Sequence, residues 1–251
     1  MNRSHSAQIA LAITLALSAV SAHAQTPAAA PPVDPAAVAA LENMSAYLRG
    51  LKSFQVEAIT TTDDVLDDGQ KIQYSGRTLI VAEMPNKLFA EVSNDRQERT
   101  YVYDGKNFTL YARRVGYYAT VPAPATLKEL DDVLGEKYDM EIPLADLFRF
   151  GGATFGAADL KAASIIGPSG IGGTSCLHYA FRQDEVDFEI WIQRGANPLP
   201  RKLVITTTTD PSRPQHSATY MWNLAPSYDE ATFTFTPPKD ANKIVMAVVS
   251  Q

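Results

Sequence analysis

Residues 100–114 have the sequence TYVYDGKNFTLYARR. Two runs rich in aromatic and β-branched residues flank Asp104-Gly105, a dipeptide that favours a two-residue type I′ turn. The stretch therefore predicts a β-hairpin, with strands over Arg99–Tyr103 and Lys106–Arg113.

Further runs of strand-forming residues lie on both sides of this hairpin. In chain order, the predicted strands are Phe54–Thr62, Lys71–Ala82, Lys87–Val92, Arg99–Tyr103, Lys106–Arg113, Gly116–Val121, Ser175–Arg182, Val186–Gln193, Leu199–Thr208, Gln215–Leu224, Thr232–Phe235 and Ile244–Val249. Tight turns, such as the one at Asp67-Asp68-Gly69, connect several of them. Strands with this spacing predict an antiparallel meander.

An amphipathic helix is predicted before the first strand. It begins near Pro35, with Asp34 as its N-cap, and ends around Gly50. Its apolar residues recur at three- and four-residue steps, which places them on one face.

A helical insert of about residues 123–166 interrupts the strands. Thr126 and Glu129 form a capping-box pattern at its start, and Pro143 stands where a second helix could begin. A third short segment covers Ala157–Ile166, and the glycine-rich GPSGIGG at 167–173 separates the insert from the next strands. The order of elements predicts an α+β fold with one antiparallel sheet and helices on one face.

Several predicted strands carry apolar residues on both faces. Leu79 and Val81 alternate with Ile80 and Ala82 in this way. A strongly curved sheet that wraps around apolar contents would produce this pattern, and so would a sheet that is covered on both sides.

The amino terminus has the pattern of a secretory signal peptide over residues 1–24. Arg3 supplies the charged region, Ile9–Val20 the apolar core, and Ala22-His23-Ala24 the small-residue cleavage site. Twelve apolar residues span about 18 Å as a helix, which is short of a bilayer core of about 30 Å. We expect cleavage after Ala24, a Pro/Ala-rich tether over residues 25–35, and a single domain over residues 36–251.

Composition and motifs disfavour several kinds of site. The net charge of −6 and the lack of a basic patch in the sequence disfavour a nucleic-acid partner, and we expect none. Cys176 and His178 lie two residues apart on a predicted strand, but no orienting carboxylate is evident in the sequence nearby. The acidic residues between Asp63 and Asp68 lack calcium-loop spacing and are typical of a solvated hairpin tip. We expect no catalytic residues, no metal and no cofactor.

Aromatic and aliphatic residues spread over the predicted strands and the insert are the strongest candidates for a binding site. Each could belong to an ordinary core, or the set could line a cavity beneath a helical lid. The predicted ligand-binding residues are Leu79, Val81, Phe89, Tyr101, Tyr103, Phe108, Leu110, Leu147, Phe148, Trp191 and Trp222.

Four stretches together resemble the LolA-like superfamily of periplasmic lipoprotein carriers. They are YLRGLKSFQVEAITT at 47–61, YSGRTLIVAEMPNKLFAEV at 74–92, the hairpin at 100–114, and FTFTPPKDAN at 233–242. Residues 186–206 and the strand containing Trp222-Asn223 further resemble a related family of uncharacterised bacterial periplasmic proteins with a domain of unknown function.

The resemblance implies an unclosed antiparallel β-barrel, with helices covering its concave face. It also implies that acyl chains or lipid anchors bind there. In the lipoprotein carriers a basic residue precedes the Pro-Asn pair, whereas this chain has Met84 at that place. Lipoprotein shuttling therefore does not transfer directly.

Two hypotheses follow for a periplasmic protein that is not an integral membrane protein. The first is a carrier or binding protein for a lipid or another apolar ligand, with a lipoprotein or envelope protein as a further partner. The alternative is a non-enzymatic module for protein interaction or envelope sensing, with the interior filled by its own side chains.

Overall fold

The computed structural model describes residues 32–149 and 156–248. The predicted signal peptide and most of the predicted tether lie outside these residues. Within them the chain forms an α+β fold, an open half-barrel made of one largely antiparallel sheet with helices against one face. This architecture confirms the predicted fold class.

The hairpin at 100–114 forms as predicted, but its turn is of a different type. Asp104 N donates to the carbonyl of Asn107 at 3.3 Å, so Gly105 and Lys106 are the two central residues. Gly105 has φ 88° and Lys106 does not have a positive φ, which is the pattern of a type II′ turn. The Asp104 carboxylate accepts hydrogen bonds from the amides of Lys106 and Asn107 at 2.8 and 2.7 Å, which favours this geometry.

Twelve strands form the sheet, and the meander that the sequence predicts is present on both sides of the insert. The strands are β1 (Ser53–Val65), β2 (Lys71–Glu83), β3 (Lys87–Asn94), β4 (Glu98–Tyr103), β5 (Asn107–Ala112), β6 (Tyr117–Pro122), β7 (Ala162–Ile171), β8 (Thr174–Arg182), β9 (Val186–Gln193), β10 (Pro200–Thr207), β11 (Gln215–Asn223) and β12 (Asn242–Lys243). Their spatial order is β12-β6-β5-β4-β3-β2-β1-β11-β10-β9-β8-β7. All neighbours pair antiparallel except β12 and β6.

The helices form where the capping signals predict them. Helix α1 (Pro35–Gly50) begins after Asp34, whose side chain accepts from Ala36 N at 2.8 Å. Helix α2 (Leu127–Tyr138) begins after Thr126, whose hydroxyl accepts from Glu129 N at 3.2 Å and donates to the Glu129 carboxylate at 2.9 Å. Pro143 does not begin a helix, contrary to the prediction. The short helix α3 covers Asp146–Arg149 instead.

The insert ends earlier than the sequence predicts. A short 3₁₀ turn covers Ala157–Asp159, and β7 then begins at Ala162 and includes most of the predicted glycine-rich loop. Gly172 and Gly173, with φ 54° and 78°, form the β7–β8 turn. Glycines in a strand and glycines in a loop look alike in sequence, which explains the wrong boundary.

The end of the predicted tether is also ordered, since Asp34 N donates to the carbonyl of Ala163 at 3.0 Å.

The segment after β11 is also different from the prediction. Thr232–Phe235 does not pair as a strand, because a 3₁₀ turn occupies Glu230–Phe233. In the predicted strand Ile244–Val249, no strand is present over the described residues 244–248, and the short β12 precedes them. Pro237 and Pro238 separate the two elements, and prolines lack the amide that a continuous strand needs.

The residues of each strand alternate between the two faces of the sheet, and the register of the strands shows which residues share a face. The covered face packs on α1, α2 and α3 and carries, for example, Val56, Ile80, Ala90 and Tyr101. The outer face carries the alternate residues of each strand. The segment after β11 lies on part of the outer face, where Phe235 contacts Tyr111 at a ring distance of 5.7 Å.

Ser45 provides a test of core packing. Its hydroxyl is buried in α1 and has no hydrogen-bond partner among the described residues. Because a buried unsatisfied hydroxyl costs free energy, we expect Ser45→Ala to raise the free energy of unfolding by about 1 kcal/mol, with about 0.5 kcal/mol more from helix propensity. Chemical denaturation measures the change.

The matched control is Thr109→Val. The Thr109 hydroxyl is buried and lies 2.9 Å from the hydroxyl of Thr120. Its removal leaves Thr120 without that partner and is expected to lower the free energy of unfolding by about 1 kcal/mol. A loss of stability in Ser45→Ala would contradict the packing described here.

Candidate ligand-binding pocket

An open pocket of about 750 Å³ lies on the covered face. It occupies the end of the half-barrel where β1 and β2 approach their connecting turn. Residues 141–145 and Leu147, between α2 and the end of α3, line the side opposite the sheet. The volume is within the range of about 300–1,000 Å³ that small-molecule sites occupy.

The lining of the pocket combines apolar and polar groups. The apolar sheet residues that line it are Val92, Tyr101, Leu203, Ile205 and Tyr220. Polar residues at its mouth are Thr60, Thr62, Tyr74, Asn94, Arg96, Gln97, Arg99, Glu141 and His216. A ligand here would therefore contact apolar surface and polar groups at the same time.

The division between apolar and polar groups extends along the whole covered face. From the end near Phe54 toward the pocket mouth, the covered-face residues are Phe54, Val56, Ala58, Thr60 and Thr62 on β1; Ala82, Ile80, Thr78, Gly76 and Tyr74 on β2; Leu88, Ala90, Val92 and Asn94 on β3; Tyr103, Tyr101 and Arg99 on β4; and Trp222, Tyr220, Ala218 and His216 on β11. On these strands the covered face changes from apolar to polar in the same direction.

The apolar end of the half-barrel is filled by the protein itself. Phe54 stacks on Phe148 at a ring distance of 5.7 Å and contacts Trp222 at 5.5 Å. The Trp222 indole N–H donates to the carbonyl of Pro200 at 2.9 Å. We call this group the aromatic cluster, and it closes one end of the interior while the pocket occupies the other.

Seven of the eleven predicted ligand-binding residues lie on the covered face or in the insert. Tyr101 and Leu147 line the pocket. The other five, Tyr103, Phe108, Leu110, Phe148 and Trp222, belong to the packed interior and do not line it. Whether any of the seven binds a ligand stays a prediction.

The other four predicted residues face away from the pocket. The register of β1, β2 and β3 places Leu79, Val81 and Phe89 on the outer face, and Trp191 lies on the outer face of β9. They therefore do not line the space under the helices, contrary to the prediction. A strand residue and its neighbour point to opposite faces, and the apolar character of both positions hid this alternation.

The outer face is partly covered at two places, near Val81 and at Trp191. Val81 and Val102 are 6% and 5% exposed, and nearby Phe233 packs beside β3 in the segment after β11. Trp191 is stacked between two outer-face neighbours, the His178 imidazole at 3.9 Å and the Lys202 ammonium at 4.8 Å. The sheet is thus both curved and partly covered on its outer side.

Cys176 and His178 lie on the same outer face, as the spacing predicts. The Cys176 thiol is fully buried and donates to the carbonyl of Thr174 at 3.4 Å, and burial raises its pKa. His178 does contact a carboxylate, that of Glu189 at 2.8 Å on the neighbouring strand, which is eleven residues away in the chain and is not predicted from local spacing. A buried thiol with a raised pKa is a poor nucleophile, so this pair does not form an activated thiolate.

The acidic turn between β1 and β2 uses its carboxylates in local contacts. Asp63 accepts hydrogen bonds from Lys71, Gln73 and the amide of Gln215, each at 3.1 Å. Asp64 pairs with Arg96 at 2.5 Å. Across the part of the chain that the structure describes, no three His, Cys, Asp or Glu side chains are grouped so as to hold a metal ion.

The sequence matches the family DUF2092, "Predicted periplasmic protein", over residues 37–247. The chain belongs to this family. The predicted relation to uncharacterised periplasmic proteins with a domain of unknown function is thereby confirmed. Within residues 32–149 and 156–248 of this DUF2092 protein, no helix is both long and apolar enough to cross a membrane.

Solved structures also align with the DUF2092 protein. LprF from Mycobacterium bovis is 14% identical, with 84% of this chain and 100% of that chain covered and a TM-score of 0.46. The lipoprotein LppX from Mycobacterium tuberculosis is 13% identical, with 78% and 100% covered and a TM-score of 0.43. A LolA superfamily protein from Nitrosomonas europaea is 11% identical, with 78% and 96% covered and a TM-score of 0.33. No protein of curated function matches the sequence.

The reactivity of Cys176 tests its place in the structure. Because the thiol is buried and its pKa is raised, we expect no reaction with Ellman's reagent in the native protein. After unfolding in guanidinium chloride, the single cysteine should react fully. Rapid labelling of the folded protein would contradict the burial described here.

Proposed function

We propose that this DUF2092 protein binds an apolar, lipid-like ligand in the pocket and carries it through the periplasm without acting as an enzyme. The observation that supports the proposal best is the open pocket of about 750 Å³ on the covered face. The interior of the half-barrel is filled at the aromatic cluster but not at the pocket, so space for a ligand remains beside apolar side chains.

The driving force for binding would be the removal of acyl chain from water. Each buried CH₂ contributes about 0.8 kcal/mol. Val92, Tyr101 and Leu203 offer the apolar surface that receives the chain, and residues 141–145 lie across it. In this proposal the insert acts as a lid, whose movement admits and releases the ligand.

Filling the pocket tests the proposal. Val92 lines the pocket, and in Val92→Trp the larger side chain would occupy part of it. Exclusion of two CH₂ groups costs about 1.6 kcal/mol, or about tenfold in affinity. We expect at least that loss for a fluorescent fatty acid, measured by titration and by displacement with unlabelled lipid.

The matched control is Val204→Trp, on the outer face of β10. It introduces the same side chain away from the pocket, and we expect the affinity to stay within about twofold of the unchanged protein. Circular dichroism checks that both variants fold. Equal losses in the two variants, or no binding of any lipid by the unchanged protein, would refute the proposal.

Native mass spectrometry with lipid extraction separates this function from the alternative of a protein-interaction module. Lipid that co-purifies with the unchanged protein and is lost in Val92→Trp supports the carrier. A stoichiometric protein partner that survives the same substitution, with no lipid found, supports the alternative.

Export is tested by expression of the full chain in a Gram-negative host. We expect the protein in the osmotic-shock fraction, with Gln25 as its first residue. In Ala24→Leu the cleavage site loses its small residue, so the precursor should accumulate, whereas the control Ala28→Leu should be processed normally. A mature protein that retains residues 1–24 would contradict this part of the proposal.

A further inference from the structure

Two arginines stand at the polar mouth of the pocket, in a protein whose net charge is −6. Arg99 lies on the covered face of β4, next to Tyr101 along the pocket, and is paired in register with Val92. Arg96 lies in the turn between β3 and β4. An apolar wall with cationic groups at its entrance is complementary to an amphiphile that carries an anionic headgroup.

Arg99 is exposed at the mouth of the pocket. Within the described residues, its guanidinium has no hydrogen-bond or ion-pair partner. Arginines on the outer face are different. Arg77 pairs with Glu57 at 2.6 Å, and Arg113 pairs with Glu91 at 3.0 Å. The donors of Arg99 are therefore available, and a guanidinium presents five N–H groups in a planar fork that fits a carboxylate or a phosphate.

Arg96 is held in position beside it. Its guanidinium stacks on the Tyr74 ring at 4.0 Å and donates to the Tyr74 hydroxyl at 2.6 Å and to Asp64 at 2.5 Å. Asp64 offsets part of its charge. Glu141 lies across the pocket, on the insert. Arg99 is thus the mouth residue whose cationic charge has no carboxylate paired with it in the described structure.

We propose that the pocket selects single-chain amphiphiles with an anionic headgroup, which Arg99 binds directly while Arg96 contributes a second cationic group. This inference rests on the proposed function and adds to it the chemical class of the ligand. The tail lies along Val92, Tyr101 and Leu203, and the headgroup oxygens accept hydrogen bonds from Arg99 at the mouth. Carboxylate and phosphate headgroups share this chemistry.

The test compares ligands that have twelve-carbon chains. Laurate and dodecyl phosphate are the anionic probes, monolaurin is the neutral probe, and dodecyltrimethylammonium is the cationic probe. Calorimetric titration below micelle concentrations gives each affinity for the full mature protein and for Arg99→Gln, Arg99→Lys and Arg113→Gln. Arg113→Gln removes the same charge from the outer side and is the matched control.

We expect the unchanged protein to bind both anionic probes at least about tenfold more tightly than monolaurin, and the cationic probe most weakly. Arg99→Gln should weaken anionic binding by about tenfold or more and leave monolaurin within about twofold. Arg99→Lys should retain part of the affinity, because it keeps the charge but loses the fork. Arg113→Gln should bind like the unchanged protein. The ratio of laurate to dodecyl phosphate affinity then distinguishes the two headgroups.

Equal affinities for anionic and neutral probes would overturn the headgroup assignment while leaving the carrier intact. The same conclusion follows if Arg99→Gln weakens monolaurin as much as laurate. If no probe binds the unchanged protein, the proposed function itself fails. Should Arg99→Gln fail to fold, the comparison of the four probes in the unchanged protein, with added salt to weaken a charge contact, decides between these outcomes.

Discussion

The pairing of β1 with β11 holds the two halves of the sheet together. It joins the meander β1–β6 to the meander β7–β11, and its eight register pairs extend from Gln55↔Asn223 to Thr62↔His216. At the pocket end, the hydroxyls of Thr61 and Ser217 lie 2.7 Å apart. The pocket takes Thr60 and Thr78 from one meander and Leu203 and Tyr220 from the other, so it exists only when this pairing is made.

The same pairing sets the polarity of the interior. Because β1 and β11 run antiparallel, the Phe54 end of one strand meets the Trp222 end of the other, and Thr62 meets His216. Apolar groups are thereby collected at the aromatic cluster, where α1 and α3 bury them, and polar groups are collected at the mouth. Burial of the apolar end stabilises the half-barrel, while the polar end can remain open to water at little cost.

Local signals in the sequence predict the elements, whereas the site depends on contacts between distant residues. Caps at Asp34 and Thr126 and the Asp104-Gly105 turn place helices and strands close to where they occur, because each signal acts within a few residues. The outer-face position of Val81 and Phe89 does not follow from such local signals, since the segment that lies beside β3 comes about 150 residues later in the chain. Arg99 is not among the predicted site residues, which are all apolar or aromatic; its alternation with Tyr101 and Tyr103 on one strand is the signal that places it on the same face.

The placement of the insert suits a lid that moves without disturbing the sheet. Helix α2 is fixed at its start, where Leu127 N donates to the carbonyl of Pro85 at 2.8 Å, and α3 is fixed by α1, where Arg49 donates to the carbonyl of Phe148 at 3.3 Å. Between these attachments, the backbone hydrogen bonds of Met140 and Ala145 are to carbonyls of the insert itself. Displacement of residues 140–145 would thus leave the pairing of β1 with β11 intact. In the proposed carrier, the ligand would exchange at the mouth while the aromatic cluster and the sheet keep their structure.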